Sequence, residues 1–257
     1  MTGLWASRDV LLMLTWRDVK IKYKQSVMGF FWAILMPLVI VSAGVIVRYA
    51  FARLSGTPLR ADDLALVTVK AVPWAFVVSA IRFASNSLIA NTNLVTKIYM
   101  PREIFPLAAI LSQLVDFAIA SVVVTILFLF AGPPLTAAAL WIPVLVALLI
   151  MLTAAAGIFL SAAALFFRDV KYIVEVVLTF AIFFTPVFYE ASMFGEWGSV
   201  LLLNPVAPLL EAIGAAAVGH PLPDLAWLAY SAGVAVGGFV LALLFFKKVE
   251  PLFAESA

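Results

Sequence analysis

The chain has 257 residues, of which 65% are hydrophobic and 12% are charged. This polar fraction is too small to cover the surface of a water-soluble protein of this length. We therefore expect most of the chain to lie in lipid. There is no cysteine and one histidine, His220, which excludes disulfides, thiolate metal ligands, cysteine nucleophiles and multi-histidine metal sites. The net charge of +2 gives no indication of a nucleic-acid partner.

Residues 1–27 are predicted to form an amphipathic helix that lies flat in the headgroup region. Apolar and aromatic residues recur there at helical spacing, with basic residues on the neighbouring face. The alternative is an ordinary basic flank before a first membrane span. The apolar positions are Leu12, Trp16, Val19 and Tyr23, and the basic positions are Arg17, Lys20 and Lys24.

Six later stretches are long and apolar enough to cross the membrane, since a helix needs about 20 such residues to cross about 30 Å of hydrocarbon. Gly132, Pro133 and Pro134 divide an interval, 117–167, that has no charged residue, into the end of one span and the start of the next. The predicted spans are 28–51, 64–90, 104–130, 139–167, 172–189 and 225–246.

The distribution of basic residues predicts that both termini are cytoplasmic. An even number of spans places the termini on one side, and lysine and arginine concentrate in cytoplasmic segments. Basic residues assigned to that side are Arg8, Arg17, Lys20, Lys22, Lys24, Lys97, Arg102, Arg168, Lys171, Lys247 and Lys248. Those on or near the other side are Arg48, Arg53, Arg60 and Lys70.

Residues 190–220 match neither a span nor a simple loop. The apolar stretches 197–203 and 206–218 are too short to cross, and Asn204 and Pro205 favour a turn between them. We therefore predict a re-entrant helix pair in the outer half of the membrane, where protein or a water-filled cavity covers the exposed backbone. Its candidate gate residues are Glu190, Trp197, Asn204, Pro205 and Glu211.

The predicted fold is an all-α integral membrane protein with a single transmembrane domain over residues 1–257. It comprises the interface helix in 1–27, five spans in 28–189, a re-entrant outer gate in 190–220 and a sixth span in 225–246.

Asp116 lies near the middle of the third predicted span, where an ionised group costs a few kcal/mol and is usually functional. The structural alternative is an ion pair with Arg82 or Lys70 of the second span. Glu175 is expected to be structural, at the membrane interface beside Lys171.

Aromatic residues near the end of the fifth predicted span are candidates for a translocation pathway. Phe180, Phe184 and Phe188 recur every four residues, with Tyr189 next to them. Such faces give a sliding sugar chain many shallow contacts, whereas the alternative is packing against lipid or a neighbouring helix. Pro186 is expected to kink the span at that level.

Four groups of residues occur in the order typical of one family. On these residues the chain resembles, over nearly its whole length, the membrane subunits of type-2 ABC exporters that move bacterial polysaccharides such as O antigen, capsule and teichoic acid. The groups are Arg17-Asp18-Val19-Lys20 with Tyr23-Lys24-Gln25-Ser26; Asn93-Leu94 with Lys97-Ile98-Tyr99-Met100-Pro101-Arg102-Glu103; Phe167-Arg168-Asp169-Val170 with Thr185-Pro186-Val187-Phe188-Tyr189; and Asn204-Pro205 with Glu211.

The resemblance implies a permease that exports lipid-linked polysaccharide, most specifically O antigen, across the bacterial inner membrane as a homodimer. It also implies two copies of a nucleotide-binding subunit that binds ATP and Mg²⁺. No lysine here is followed by serine or threonine, so the usual phosphate-binding loop is absent and this chain is expected to bind no cofactor and hydrolyse no ATP.

Residues 93–103 are the best candidate for the coupling helix that contacts the nucleotide-binding subunit, because the segment is short, amphipathic and charged. A plain polar connection between two spans is the alternative. By the resemblance, the N-terminal arm also contacts that subunit. The candidate coupling residues are Asn93, Lys97, Tyr99, Pro101, Arg102 and Glu103, with Arg17 and Lys20 in the arm.

Two other functions compete with export. An ion-coupled secondary transporter would place ionisable groups at the bilayer midplane, for which Asp116 is the one candidate. An intramembrane enzyme acting on lipid-linked sugars would need clustered carboxylates or histidines at one membrane face, whereas the acidic residues here are scattered along the chain.

Overall fold

The computed structural model describes residues 7–24, 31–56, 58, 61–97, 100–131 and 136–253, and over those residues it contains helices and no strand. The helices are α1 (Arg8–Lys24), α2 (Phe31–Ser55), α3 (Ala61–Ala90), α4 (Thr92–Lys97), α5 (Ile104–Ala131), α6 (Ile142–Phe166), α7 (Val170–Ala181), α8 (Gly198–Leu202), α9 (Val206–Val218) and α10 (Leu225–Val249), with short 3-10 helices at Ala137–Trp141, Ala191–Trp197 and Glu250–Leu252.

Four predicted spans, the second, third, fourth and sixth, are confirmed as helices long and apolar enough to cross a membrane. The first predicted span corresponds to α2, whose 25 residues extend about 38 Å at 1.5 Å per residue. The predicted break at Gly132, Pro133 and Pro134 lies outside the described residues. The four membrane-capable helices cover Asp62–Ala90, Ile104–Phe128, Ala137–Phe166 and Leu225–Leu252.

The fifth predicted span is wrong as one continuous helix, because α7 ends at Ala181 after 12 residues. Beyond that point the amides of Phe183 and Phe184 donate to carbonyls three residues back instead of four. Pro186 causes this change: its ring clashes with the carbonyl four residues earlier, and helical geometry is disfavoured at the residue before it, Thr185. Residues 182–189 therefore continue as turns.

Helix α3 lies at the centre of the bundle and packs against α2, α5, α6, α7 and α9. Small residues allow this packing: a methyl group at Gly157 of α6 would lie 2.8 Å from Cβ of Ala84. Close backbone approach through small residues is typical of helices that associate in lipid. Helices α5 and α10 lie further out than α3. In the most apolar 18-residue stretch of each helix, 22% of α5 and 17% of α10 is buried inside the protein, compared with 56% of α3.

The segment predicted to form an N-terminal helix contains α1, and the buried side of α1 includes part of the predicted apolar stripe. Val19 of the predicted stripe is buried together with Leu14, whereas Leu12 and Trp16 of the same stripe are 61% and 59% exposed. The buried side packs along α5. Exposed Leu12 and Trp16 remain available for contact with lipid, so the location of α1 in the headgroup region stays a prediction.

The contact of α1 with α5 continues well beyond the start of α5. Leu14 belongs to the same buried cluster as Ile104 and Phe105 at the start of α5. Lys22 and Tyr23 contact Asp116, about three turns further along. The last turn of α1 therefore lies against the middle of α5.

Residues 191–218 form a compact hairpin of short helices. Helix α8 has five residues and α9 has 13, and both are too short to cross a membrane. Nearly all of α9 is buried, against α3, α6 and α10. The α9 helix ends at Gly219, whose φ of 81° is the left-handed conformation common after a helix C-terminus.

Candidate functional site

A cavity of about 520 Å³ lies among α1, α2, α3, α5 and α7. Its wall combines aromatic rings with polar side chains, a combination that suits ligands with both apolar and hydroxyl-bearing faces. The aromatic residues are Tyr23, Trp32, Trp74, Phe76, Phe83 and Phe117, and the polar residues are Lys22, Ser79, Arg82, Gln113, Asp116 and Thr179.

Asp116 organises the polar part of this wall. Lys22 forms an ion pair with one carboxylate oxygen, and the Tyr23 hydroxyl donates to the other. Lys22 Nζ also donates to Oε1 of Gln113, at 3.1 Å. Burial and the hydrogen bond to Asp116 raise the pKa of the Tyr23 phenol, so the hydroxyl remains protonated and available as a donor.

The partner predicted for Asp116 was wrong. Nε of Arg82 instead lies 2.9 Å from each carboxylate oxygen of Glu175. That contact joins α3 to α7, so Glu175 has a structural role, as predicted, with Arg82 as its partner. Lys70 points elsewhere, and its Nζ donates to the Tyr189 carbonyl at 2.6 Å.

The four pathway aromatics do not lie on one helical face. Phe180 and Phe184 are 56% and 67% exposed, whereas Phe188 and Tyr189 are buried in the core. They separate because α7 ends at Ala181, before the period of four residues reaches Phe188. The Tyr189 hydroxyl donates to the Phe183 carbonyl at 2.7 Å, which fixes the turn that follows α7.

A second polar cluster lies at the end of the bundle that holds the hairpin. Arg48 of α2 pairs with Asp63 and lies 3.6 Å from a carboxylate oxygen of Glu190. Lys70 is 2% exposed. Glu211, on α9, accepts a hydrogen bond of 2.6 Å from the Ala191 amide. These contacts connect α2, α3 and α9 through the start of the hairpin.

Asn204 and Pro205 form the turn inside the hairpin, as predicted. Nδ2 of Asn204 donates to the Thr185 hydroxyl at 2.9 Å, and its Oδ1 accepts from the Val206 amide at 3.1 Å. Pro205 is the residue before α9. Trp197, the remaining candidate gate residue, is 73% exposed.

The coupling segment is divided between surface and interior. Asn93 and Lys97 lie exposed on α4, while Pro101 and Arg102 are half-buried and Glu103 is 1% exposed. Tyr99 lies outside the described residues. In the N-terminal arm, an Arg17 guanidinium nitrogen donates to Oδ1 of Asn91 at 2.9 Å, and exposed Lys20 lies 5.5 Å from the centroid of the Trp16 ring.

Several residues of these clusters could not be identified as site residues from the sequence. Three of them, Lys22, Arg48 and Lys247, indicated only the side of the membrane on which their segments lie. Neither Asp63 nor Glu250 was predicted to belong to the coupling or gate sites. Their pairing depends on which helices pack together, which local sequence does not reveal. Among the described residues, no group of three or more acidic or histidine side chains is placed to hold a metal ion.

Comparisons with known proteins agree on one family. The family model of the ABC-2 type transporter matches residues 9–217. The O-antigen export system permease protein RfbA of Myxococcus xanthus is 27% identical over 258 residues, which cover 98% of this chain and 97% of that protein. Two proteins of the same name from Klebsiella pneumoniae are 28% and 26% identical over 253 and 204 residues, covering 96% and 79% of this chain and 94% and 77% of those proteins.

Proposed function

This chain belongs to the family of ABC-2 type transporters, and from that premise we propose that it is the permease subunit of an exporter of lipid-linked O antigen. The observation that carries the proposal is the similarity, over nearly the full length of both chains, to permeases named for O-antigen export. The membrane-capable helices agree with a multi-pass protein of the bacterial inner membrane.

ATP hydrolysis belongs to a separate nucleotide-binding subunit in this proposal, and the permease itself is not an enzyme. The sequence has no Gly-Lys-Ser/Thr loop, so ATP and Mg²⁺ bind to that partner, present in two copies. Asn93 and Lys97 on α4, with Lys20 on α1, are the exposed candidate residues for its docking.

The proposed topology keeps six crossings and both termini in the cytoplasm. The fifth crossing is made by α7 together with the turns of 182–189, because 12 helical residues extend only about 18 Å. Non-helical backbone at that depth must be covered by protein or water. A second copy of the chain supplies that cover, and the hairpin of 191–218 dips back into the outer half as the outer gate.

The proposed mechanism starts from motion of the nucleotide-binding subunits against α4 and α1. Because the last turn of α1 is tied to Asp116, displacement of α1 moves the wall of the cavity directly. The aromatic part of that wall offers the polymer many shallow contacts. Exposed Phe180 and Phe184, which lie close in sequence to the wall residues Thr179 and Ile182, add to these contacts. Displacement of Glu190 and Glu211 opens the outer gate.

The rival reading as an ion-coupled transporter depended on Asp116 as an ionisable group in mid-membrane. Lys22 and Tyr23 provide a structural partner for that carboxylate, so its position no longer requires ion transport. Nothing else in the described part of the structure favours an ion-coupled transporter.

The decisive experiment is to tag the chain, extract it gently from its native membrane and identify the proteins that co-purify. We expect a stoichiometric partner with a Gly-x-x-x-x-Gly-Lys-Ser/Thr loop, ATP hydrolysis by the complex, and loss of surface O antigen when the permease gene is deleted. A stable chain with no such partner, or O antigen export that continues without the permease, would contradict the proposal.

A further inference from the structure

The C-terminal turn of the chain is bonded to the residues that connect α4 with α5. The Arg102 amide donates to Oε1 of Glu250 at 3.0 Å, although the two residues are 148 positions apart. The Arg102 guanidinium also donates to the Glu250 main-chain carbonyl and lies 5.8 Å from the centroid of the Phe253 ring. One turn at the end of the chain thus holds both the backbone and the side chain of Arg102.

Glu103 contributes a buried charge to the same contact. Its side chain is 1% exposed, and Oε1 lies 2.5 Å from Nζ of Lys247 in the last turn of α10. Neither carboxylate oxygen accepts a hydrogen bond from another described residue, so Lys247 is the counter-ion that the described chain provides. A buried carboxylate without a counter-ion is costly, which makes this ion pair a strong constraint on position.

Aromatic packing fixes the turn beneath these polar contacts. Phe253 and Phe246 are both 0% exposed, with ring centroids 5.1 Å apart in an edge-to-face arrangement. Phe166, at the end of α6, lies 5.7 Å from the Phe253 ring. The turn is therefore anchored to α6 and α10 and is not a loose tail.

We infer that Lys247, Glu250 and Phe253 form a C-terminal brace that fixes the α4–α5 connection to α6 and α10, so that a push on α4 moves the membrane helices. The inference rests on the proposed function and adds positioning residues to it. It also assigns Arg102 and Glu103 a role different from direct docking: their side chains are held by the brace, while Asn93 and Lys97 remain exposed for the partner.

The mechanical reason for the brace lies in the connection between α4 and α5, which would rotate if nothing held it. Lys97 ends α4 and Ile104 begins α5. If Arg102 and Glu103 were free, displacement of α4 would be absorbed by rotation of backbone dihedral angles in this connection. With both residues attached to the brace, the same displacement acts on α10, which packs along α6. The brace thus converts a local push into a movement of two membrane helices.

The test compares export per ATP hydrolysed in the intact complex of permease and nucleotide-binding subunits. Lys247→Gln removes the counter-ion of Glu103, and Phe253→Ala removes the aromatic anchor. We expect each variant to assemble with the partner and hydrolyse ATP, while export per ATP falls by about tenfold, because each change releases a residue that couples two distant sites. Lys248→Gln is the matched control, because this neighbouring lysine is exposed like Lys247 but forms no ion pair with another described residue, and it should export normally.

Charge reversal separates positioning from a general loss of structure. Lys247→Glu and Glu103→Lys should each uncouple export. The double variant restores the pair with reversed charges and should export about threefold more per ATP than either single variant. Its recovery should stay incomplete, because the new carboxylate lies beside Glu250, whose Oε2 is 3.4 Å from Nζ of Lys247 in the unaltered chain. Unchanged export per ATP in both Lys247→Gln and Phe253→Ala would overturn the brace. An unaltered complex with no ATPase activity or export would instead contradict the proposed function.

Discussion

Asp116 shows how one buried carboxylate organises several elements. An ionised group in the middle of α5 is costly unless it is paired, and Lys22 and Tyr23 reach it from α1. The sequence indicated that Asp116 needed a partner, but the candidates, Arg82 and Lys70, came from the preceding span because α1 was assigned to the headgroup layer. Charge and hydropathy therefore predicted that Asp116 requires a partner, whereas the identity of that partner depends on the packing of α1 along α5.

Loss of the Lys22–Asp116 pair should destabilise the chain more when one charge remains than when both are removed. We expect Lys22→Met and Asp116→Asn each to lower the thermal unfolding midpoint of the purified protein. The double variant should be more stable than the sum of the single effects predicts, by about 0.5–3 kcal/mol for residues in contact. The low end of that range applies because both side chains keep some exposure.

The control for that cycle is Lys24→Met, since Lys24 is an exposed lysine two residues further along α1. It should leave the unfolding midpoint unchanged and show no coupling to Asp116→Asn. Purely additive effects of Lys22→Met and Asp116→Asn would show that the two charges do not stabilise each other.

At the level of elements, the sequence predicted long helices better than their interruptions. Hydropathy located α3, α5, α6 and α10, and the Asn204-Pro205 pair located the start of α9. The end of α7 was predicted as a kink at Pro186, whereas the structure ends the helix at Ala181. Hydropathy is insensitive to such a break, because Phe183 and Phe184 are as apolar in a turn as in a helix.

Packing of α9 against α3 should make Gly214 intolerant of side chains. A methyl group there would lie 3.1 Å from Cγ of Lys70 and 3.2 Å from Leu66, which leaves no room for a larger residue. We expect Gly214→Leu to destabilise the protein by about 1–3 kcal/mol through overpacking. Export should fall with it, because α9 belongs to the proposed outer gate.

The matched variant is Gly237→Leu in α10, where a Cβ atom would meet nothing within 4 Å. That change should be neutral or stabilising by up to about 1 kcal/mol, since leucine is the better helix former. Thermal unfolding and surface O antigen, measured for both variants, provide the comparison. Equal tolerance at the two glycines would contradict the packing of α9 and its role as a gate.

At the scale of the whole molecule, ion pairs join parts of the chain that are distant in sequence. Arg48 with Glu190, Arg82 with Glu175 and Lys247 with Glu103 all connect separate elements. Sequence patterns predicted the membrane class and the order of spans, because hydropathy and basic flanks are local properties. They could not predict these pairs, which form only once α2 has packed near the hairpin, α3 against α7, and α10 near the α4–α5 connection.

An exposed apolar face of α7 lies next to the irregular backbone of residues 182–189. Tyr172, Ile173, Val176, Val177 and Phe180 of α7 are exposed, and the turns of 182–189 follow directly. Lipid can cover an apolar helix face, but it cannot satisfy the backbone polar groups of turns. The second copy of the chain is therefore expected to lie against α7, whereas the continuous helix α10 can face lipid.

The chain has no cysteine, so single-cysteine variants test this arrangement without background. Val176→Cys on α7 and Leu241→Cys on α10 both replace exposed apolar residues, at 57% and 67% exposure. In membranes treated with an oxidant or a short thiol cross-linker, we expect Val176→Cys to give a covalent homodimer and Leu241→Cys to remain a monomer on denaturing gels. Cross-linking from Leu241→Cys but not from Val176→Cys would place the second copy against α10 and leave the turns after α7 without their proposed cover.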